Sequence, residues 1–229
     1  MRRPLLSFVL LAASGCGPSG SGSAIPFDQL ADEFAKVFCR KAFICCDAVE
    51  LQSVGGDEAQ CRSAVSADLM SDLTGDQTGV ATGTTIYDGR KARACLDTVT
   101  ALPCSEWGAD ESLRRFPDCL QILRGTIAPG GACSRSGECR DGTCPPSTGS
   151  GVCVARAAAG ESCASTTCRQ ELYCALDPSG LPTTCAVPKA NGMACTVDLE
   201  CASGNCVGAP TTAGAPPGAC GAPSMCNGV

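Results

Sequence analysis

The sequence predicts a small disulfide-rich protein: an N-terminal α-helical, disulfide-clipped domain followed by three tandem cysteine-rich modules of irregular and short-β structure. Three observations predict it. The 229-residue chain carries 21 cysteines and no histidine; most of its large apolar residues, and every aromatic but Tyr173, precede Pro129; and 13 of the cysteines lie in the last 101 residues, 12 of them at recurring spacings. Such cysteine density belongs to an oxidising compartment, where disulfides persist. No two cysteines are separated by just two residues, so the usual zinc-knuckle and thioredoxin-like spacings are missing. Disulfides are therefore expected in place of a metal, and no cofactor is expected.

Residues 1–15 have three parts: Arg2 and Arg3, an apolar run from Leu5 to Ala13, and the small pair Ser14 and Gly15. That order of charge, apolar core and small residues is the pattern of a secretory signal, and the run is too short to span a bilayer. In "LLAASGCGPSGSGS", Ala13-Ser14-Gly15-Cys16 resembles the bacterial lipobox, with alanine where leucine is commoner. The resemblance implies a lipid on Cys16 as the membrane partner. Residues 16–24 then read as the lipidated cysteine and a flexible Gly/Ser/Pro tether. Removing Cys16 leaves 20 cysteines, an even set that can pair in full. Gly17 stands where an aspartate marks inner-membrane retention in enterobacterial lipoproteins, so the expected location is the outer membrane or surface of a Gram-negative bacterium. The alternative is an ordinary secreted protein in which Cys16 is one more disulfide partner.

Residues 25–128 read as the helical domain. In "FDQLADEFAKVFCRKAFICC", Leu30, Phe34, Val37, Phe38, Lys41 and Cys45 fall on one helical face, with Lys41 its single charged interruption. Asp28 is the expected N-cap and Pro26 the break before it. A second helix is expected over 57–73, carrying Ala59, Val65, Leu69 and Leu73, and ending at a Gly/Thr-rich loop, "TGDQTGVATGTT". A third is expected over 87–102, with Ala92, Cys95, Leu96, Val99 and Leu102 on one side and Pro103 closing it; a short one follows near 117–123. Cys39, Cys45, Cys46, Cys61, Cys95, Cys104 and Cys119 clip these helices to each other, in pairs the sequence leaves unassigned. Cys45 and Cys46, being adjacent, are expected to take separate partners.

Residues 129–229 cannot build an apolar core and must be stapled: Tyr173 is the only aromatic and there is no isoleucine. Three units open "GGACSRSGECRDGTC", "GESCASTTCRQELYC" and "GMACTVDLECASGNC", with a glycine (Gly130, Gly160, Gly192) three residues before the first cysteine. First cysteines recur at Cys133, Cys163 and Cys195, and each unit is closed by a fourth cysteine, Cys153, Cys185 or Cys220. The modules span about 130–155, 160–187 and 192–222, with a short tail beyond. Recurrence of this kind marks tandem modules, and the Pro/Gly/Thr loops before each fourth cysteine fit exposed tips. Four cysteines per unit allow three connectivities. Cys226 is left over; it pairs with the helical domain, or it and Cys220 begin a truncated fourth unit that pairs with another chain.

The spacing of the units, best in "GECRDGTC" and "LECASGNC", resembles the N-terminal cysteine-rich domain of Dickkopf proteins and the related colipase-type and EB-type modules. The likeness covers about Gly130 to Cys220. It implies first-to-third and second-to-fourth pairing: Cys133 with Cys144 and Cys139 with Cys153; Cys163 with Cys174 and Cys168 with Cys185; Cys195 with Cys206 and Cys201 with Cys220. The second unit departs from the pattern, lacking the inner glycine and swapping the two short spacings. The whole arrangement also resembles cysteine-rich lipoproteins of Gram-negative bacteria.

Catalysis has little to stand on. Without histidine, Ser-His-Asp and Cys-His schemes are excluded, and no Gly-x-Ser-x-Gly, Ser-x-x-Lys or P-loop spacing is present. Acidic pairs such as Asp57-Glu58 and Asp110-Glu111 fit helix starts, where carboxylates favour the dipole. A third reading is an enzyme of unfamiliar chemistry in the helical domain, which a pocket holding Trp107, Asp110 and Glu111 together would favour. Removal of Arg2 and Arg3 with the signal leaves 15 basic against 23 acidic side chains, a net charge of −8. No basic run exists, so nucleic acid is not an expected partner. The expected function is non-catalytic: an extracytoplasmic surface module for a protein or glycan ligand, or a structural spacer. A secreted inhibitor or toxin-like effector is the alternative.

Overall fold

The computed structural model describes residues 22–52, 55–107, 116–145, 151–177, 179–210, 215–222 and 226. Cys16, with the signal and lipid it would carry, lies outside the described residues, as do Asp110 and Glu111. The chain forms a helical N-terminal region followed by small antiparallel sheets, and ten disulfides bind it together.

The helical region holds α1 (Leu30–Cys45), α2 (Ala48–Leu51), α3 (Glu58–Thr82), α4 (Gly89–Ala101) and α5 (Pro117–Leu120). Helix α1 does not start at an Asp28 cap. Asp28 lies inside a 3-10 turn over Phe27–Gln29 that leads into the helix, and no side chain caps either start. Asp57 and Asp88 do cap: Asp57 accepts from the Gln60 N–H, and Asp88 from the N–H groups of Arg90 and Lys91.

Helix α3 runs nine residues past the expected end at Leu73 and absorbs most of the Gly/Thr-rich stretch. Two of its glycines are packing positions. A Cβ on Gly79 would lie 2.4 Å from Thr85 Oγ1, and one on Gly75 would lie 2.1 Å from an Arg135 guanidinium nitrogen. The breaker is Gly83, whose φ of +77° ends the helix in the left-handed region that glycine enters without a Cβ clash.

Strand β1 (Thr85–Tyr87) precedes α4 and pairs antiparallel with β2 (Leu123–Gly125), Thr85 opposite Gly125. This ribbon replaces the last turn expected of the short helix near 117–123.

One apolar cluster gathers Ile25, Leu30, Ala31, Leu73, Ala92 and Leu96; a second gathers Ala42, Cys45, Cys95, Val99 and Trp107. Trp107 is 3 % exposed, its ring 5.5 Å from that of Phe38. It therefore fills the core. Lys41, the charged interruption on the apolar face of α1, is buried because α4 ends beside it. Its ammonium donates to the Thr100 carbonyl at 3.2 Å and to the Leu102 carbonyl, satisfying acceptors that the end of a helix leaves unpaired.

Disulfides tie these elements pairwise: Cys39 to Cys61 joins α1 to α3, Cys95 to Cys119 joins α4 to α5, and Cys45 to Cys104 fixes the end of α1 to the turn after α4. Cys46 and Cys45 have separate partners, and that of Cys46 is Cys226. The chain is fixed to the helical region from its first described residues. Arg93 Nε donates to the Ser23 carbonyl, the Ile25 N–H donates to Gly89, and the Tyr87 hydroxyl donates to the Ile25 carbonyl at 2.8 Å.

The remainder is strand pairs: β3 (Ala132–Cys133) with β5 (Gly151–Val152), β4 (Gly142–Thr143) with β6 (Val154–Ala155), β7 (Tyr173–Leu176) with β8 (Pro182–Ala186), and a three-stranded sheet in the order β10 (Cys206–Val207), β11 (Gly218–Cys220), β9 (Ala194–Cys195). Among the described residues no helix is long and apolar enough to cross a membrane.

Candidate functional site

Each four-cysteine segment of the C-terminal half is held by one backbone frame, and the glycine three residues before its first cysteine explains why. Gly130, Gly160 and Gly192 have φ of +88°, +83° and +84°. Each is the third residue of a four-residue turn, closed by N–H to carbonyl bonds from Gly131 to Ala128, Glu161 to Ala158 and Met193 to Ala190. That turn type requires positive φ at its third residue. The same glycine N–H groups donate to the fourth cysteine's carbonyl: Gly130 to Cys153, Gly160 to Cys185 and Gly192 to Cys220, at 2.7–2.8 Å. Three residues upstream of each glycine, Ile127, Ala157 and Lys189 bridge in parallel to Cys139, Cys168 and Cys201.

Inside these frames the disulfides are Cys133 to Cys144 and Cys139 to Cys153; Cys163 to Cys174 and Cys168 to Cys185; Cys195 to Cys206 and Cys201 to Cys220. Three groups of cysteine sulfurs (Cys133, Cys139 and Cys153; Cys163, Cys168 and Cys174; Cys195, Cys201 and Cys220) crowd together as a metal site would, as does the group of Cys46, Cys226 and Glu50. Every sulfur among them is in a disulfide and lacks the thiolate a metal needs.

Glu138 and Glu200, each just before a second cysteine, turn their carboxylates inward. Glu138 accepts from the N–H groups of Ser134 and Arg135, and those bonds, Ser134's foremost, hold its carboxyl below the usual range. Burial works to raise Glu200, but the Lys189 ammonium, 2.6 Å away, and the Thr196 hydroxyl and N–H outweigh it and hold it low. The second segment has Thr167 at this position and is built differently, on a longer β7–β8 hairpin, with Leu172 just before β7 and Tyr173 at its start both buried.

The first segment docks on the helical region. Thr85 Oγ1 donates to the Gly137 carbonyl, Thr84 Oγ1 to a Glu138 carboxylate oxygen, and a Cβ on Gly125 would lie 2.3 Å from the Glu138 carbonyl carbon. Asp76, desolvated at this junction, is pushed above the usual carboxylate range against the pull of Arg135.

In this half the usual division of inside and outside is inverted. Cysteines fill the interior, so the large apolar side chains are left for the surface. Of the eleven described Val, Leu, Met and Tyr residues beyond Pro129, only Leu172 and Tyr173 are buried; Val152, Val154, Leu176, Leu181, Val187, Met193, Val197, Leu199 and Val207 are exposed. Strand registers show how. In the three-stranded sheet Cys206 and Cys220 pair on the inner face, while Val207, Ala219 and Ala194 line up across the outer one. Ala132 and Val152 form the corresponding outer pair of the first segment. Leu176 and Leu181 flank the β7–β8 tip, which Asp177 closes by accepting from the Ser179 and Leu181 N–H groups.

The sequence located the β7–β8 tip, while the loops 146–150 and 211–214 lie outside the described residues; it missed this apolar exterior, although the near absence of cores to receive those residues was a signal for it. Val187 is 69 % and Leu181 63 % exposed. Scattered exposed apolar residues are ordinary, whereas a concentration of them marks a contact surface. No protein-family model, no curated protein and no solved structure matches the chain.

Proposed function

We propose that this is a lipid-anchored extracytoplasmic interaction protein, held by an acyl group on Cys16, whose C-terminal half is three copies of one disulfide module presenting an apolar outer face to a protein partner. The observation that carries the reading is the inversion: nine of the eleven described Val, Leu, Met and Tyr side chains outside, with disulfides inside. Supporting the repeat are the equivalent turns at Gly130, Gly160 and Gly192 and the equivalent bonds from them. A fold so dependent on disulfides fits an oxidising location outside the cytoplasm.

A protein partner fits better than a glycan. Sugar rings are gripped by exposed aromatic faces, and the one aromatic of this half, Tyr173, is buried. With no histidine in the chain and Trp107 in the core, the reading is non-catalytic.

Photo-crosslinking in intact cells tests it. A benzophenone amino acid at Leu181, Val187 or Val207 is expected to give a discrete adduct with another protein, and the same group at exposed Asp68 or Asp72 of α3 none. Equal labelling at all positions would remove the argument for a contact face.

A further inference from the structure

The bond between Cys46 and Cys226 differs in kind from the other nine. Three bonds enclose parts of 39–119 in the helical region, and the six later ones lie within 133–153, 163–185 and 195–220. Residues 120–132, 154–162, 186–194 and 221–225 are thus enclosed by none of them. Cys46 to Cys226 spans 180 residues and encloses all four stretches. The second and third of these stretches are also where a protease would reach the chain. Ala155, Ala159, Gly160, Val187, Ala190, Asn191 and Gly192 are exposed, whereas most cysteines of the flanking segments are buried. Exposed connecting segments are the preferred sites of nicking.

We propose that the Cys46 to Cys226 bond is a clasp that keeps the C-terminal half on the helical region after a connecting stretch has been cut. The half is attached at both ends. Its start docks through Thr84, Thr85 and Glu138 beside β1, and its end returns to the residue after α1. Hydrolysis of one peptide bond in any of the four stretches adds one water and leaves a single covalent molecule. Release then requires a second event: a dithiol must reduce the Cys46 to Cys226 disulfide to two thiols and itself be oxidised to a disulfide. The benefit outside the cell rests on the location proposed above, but the clasp itself does not.

The test uses the purified full chain with a recognition sequence for a specific protease inserted after Val187, with and without the double change Cys46→Ala and Cys226→Ala. After cleavage, the clasped protein is expected to run as one species on a denaturing gel without reductant and as two with it. The unclasped protein is expected to shed fragment 188–229 in native gel filtration. Loss of that fragment from the clasped protein without reductant would overturn the proposal, and so would its retention by the unclasped one. Should the double variant fail to form its nine other bonds, graded reduction of the cut clasped protein decides instead. Release must then coincide with alkylation of Cys46 and Cys226, and release before it overturns the clasp.

Discussion

The Lys189 ammonium lies 2.6 Å from a Glu200 carboxylate oxygen, and the Lys189 backbone N–H donates to the Glu200 carbonyl. One residue pair thus fastens the entry of the last four-cysteine segment by both side chain and backbone.

The pH dependence of that fastening follows from its sign. Glu138 and Glu200 have carboxyls held below their ordinary value of 4.5. A carboxyl whose folded pKa is depressed contributes stability that is present above the unfolded value and lost as pH falls through the folded one. Stability is therefore expected to fall as pH drops below about 4.5, and Glu200→Gln should lose about 1.5–3 kcal/mol at neutral pH, the range for a hydrogen bond to a charged group. Denaturant unfolding at pH 7 and pH 3 checks both, and the variant should show a smaller difference between the two.

Lys41 gives a second prediction. Lys41→Met keeps the stem but leaves the Thr100 and Leu102 carbonyls without their donor, at an expected cost of about 1–3 kcal/mol. Thermal unfolding measures it. An unchanged midpoint would mean that water replaces the ammonium.

Two glycines of α3 should behave oppositely. Alanine gains about 0.8–1 kcal/mol of helix propensity over glycine at either site. At Gly79 the new methyl meets the buried Thr85 side chain on β1, and overpacking of about 1–3 kcal/mol exceeds the gain. At Gly75 it meets the end of the long Arg135 side chain, which can swing away. Gly79→Ala is expected to destabilise, and Gly75→Ala to be neutral or stabilising, in the same unfolding assay.

Much of this architecture was legible in residue spacing. The apolar face of α1, the start of α3 after Asp57 and the body of α4 follow helical periodicity, and the change from helices to short strands follows the rise in cysteine density and the loss of aromatics. The end of α3 was illegible because Gly75 and Gly79 look like breakers until Arg135, distant in sequence, and Thr85, in the strand that follows the helix, are packed against them. The β1–β2 ribbon was missed because three-residue strands carry too little alternation to read. Cys45, Cys46 and the other helical-region cysteines offered no spacing that selects partners; their pairs depend on how the helices pack. The apolar exterior needed the strand registers, which decide that cysteines face in and Val152 and Val207 face out.

The most direct measurement is the intact mass of the protein extracted from its membrane, before and after thiol alkylation. The account predicts a chain beginning at Cys16, heavier than its sequence by acyl groups, with no alkylatable thiol. A chain beginning near Gly15 without lipid, or one with free thiols, would contradict it.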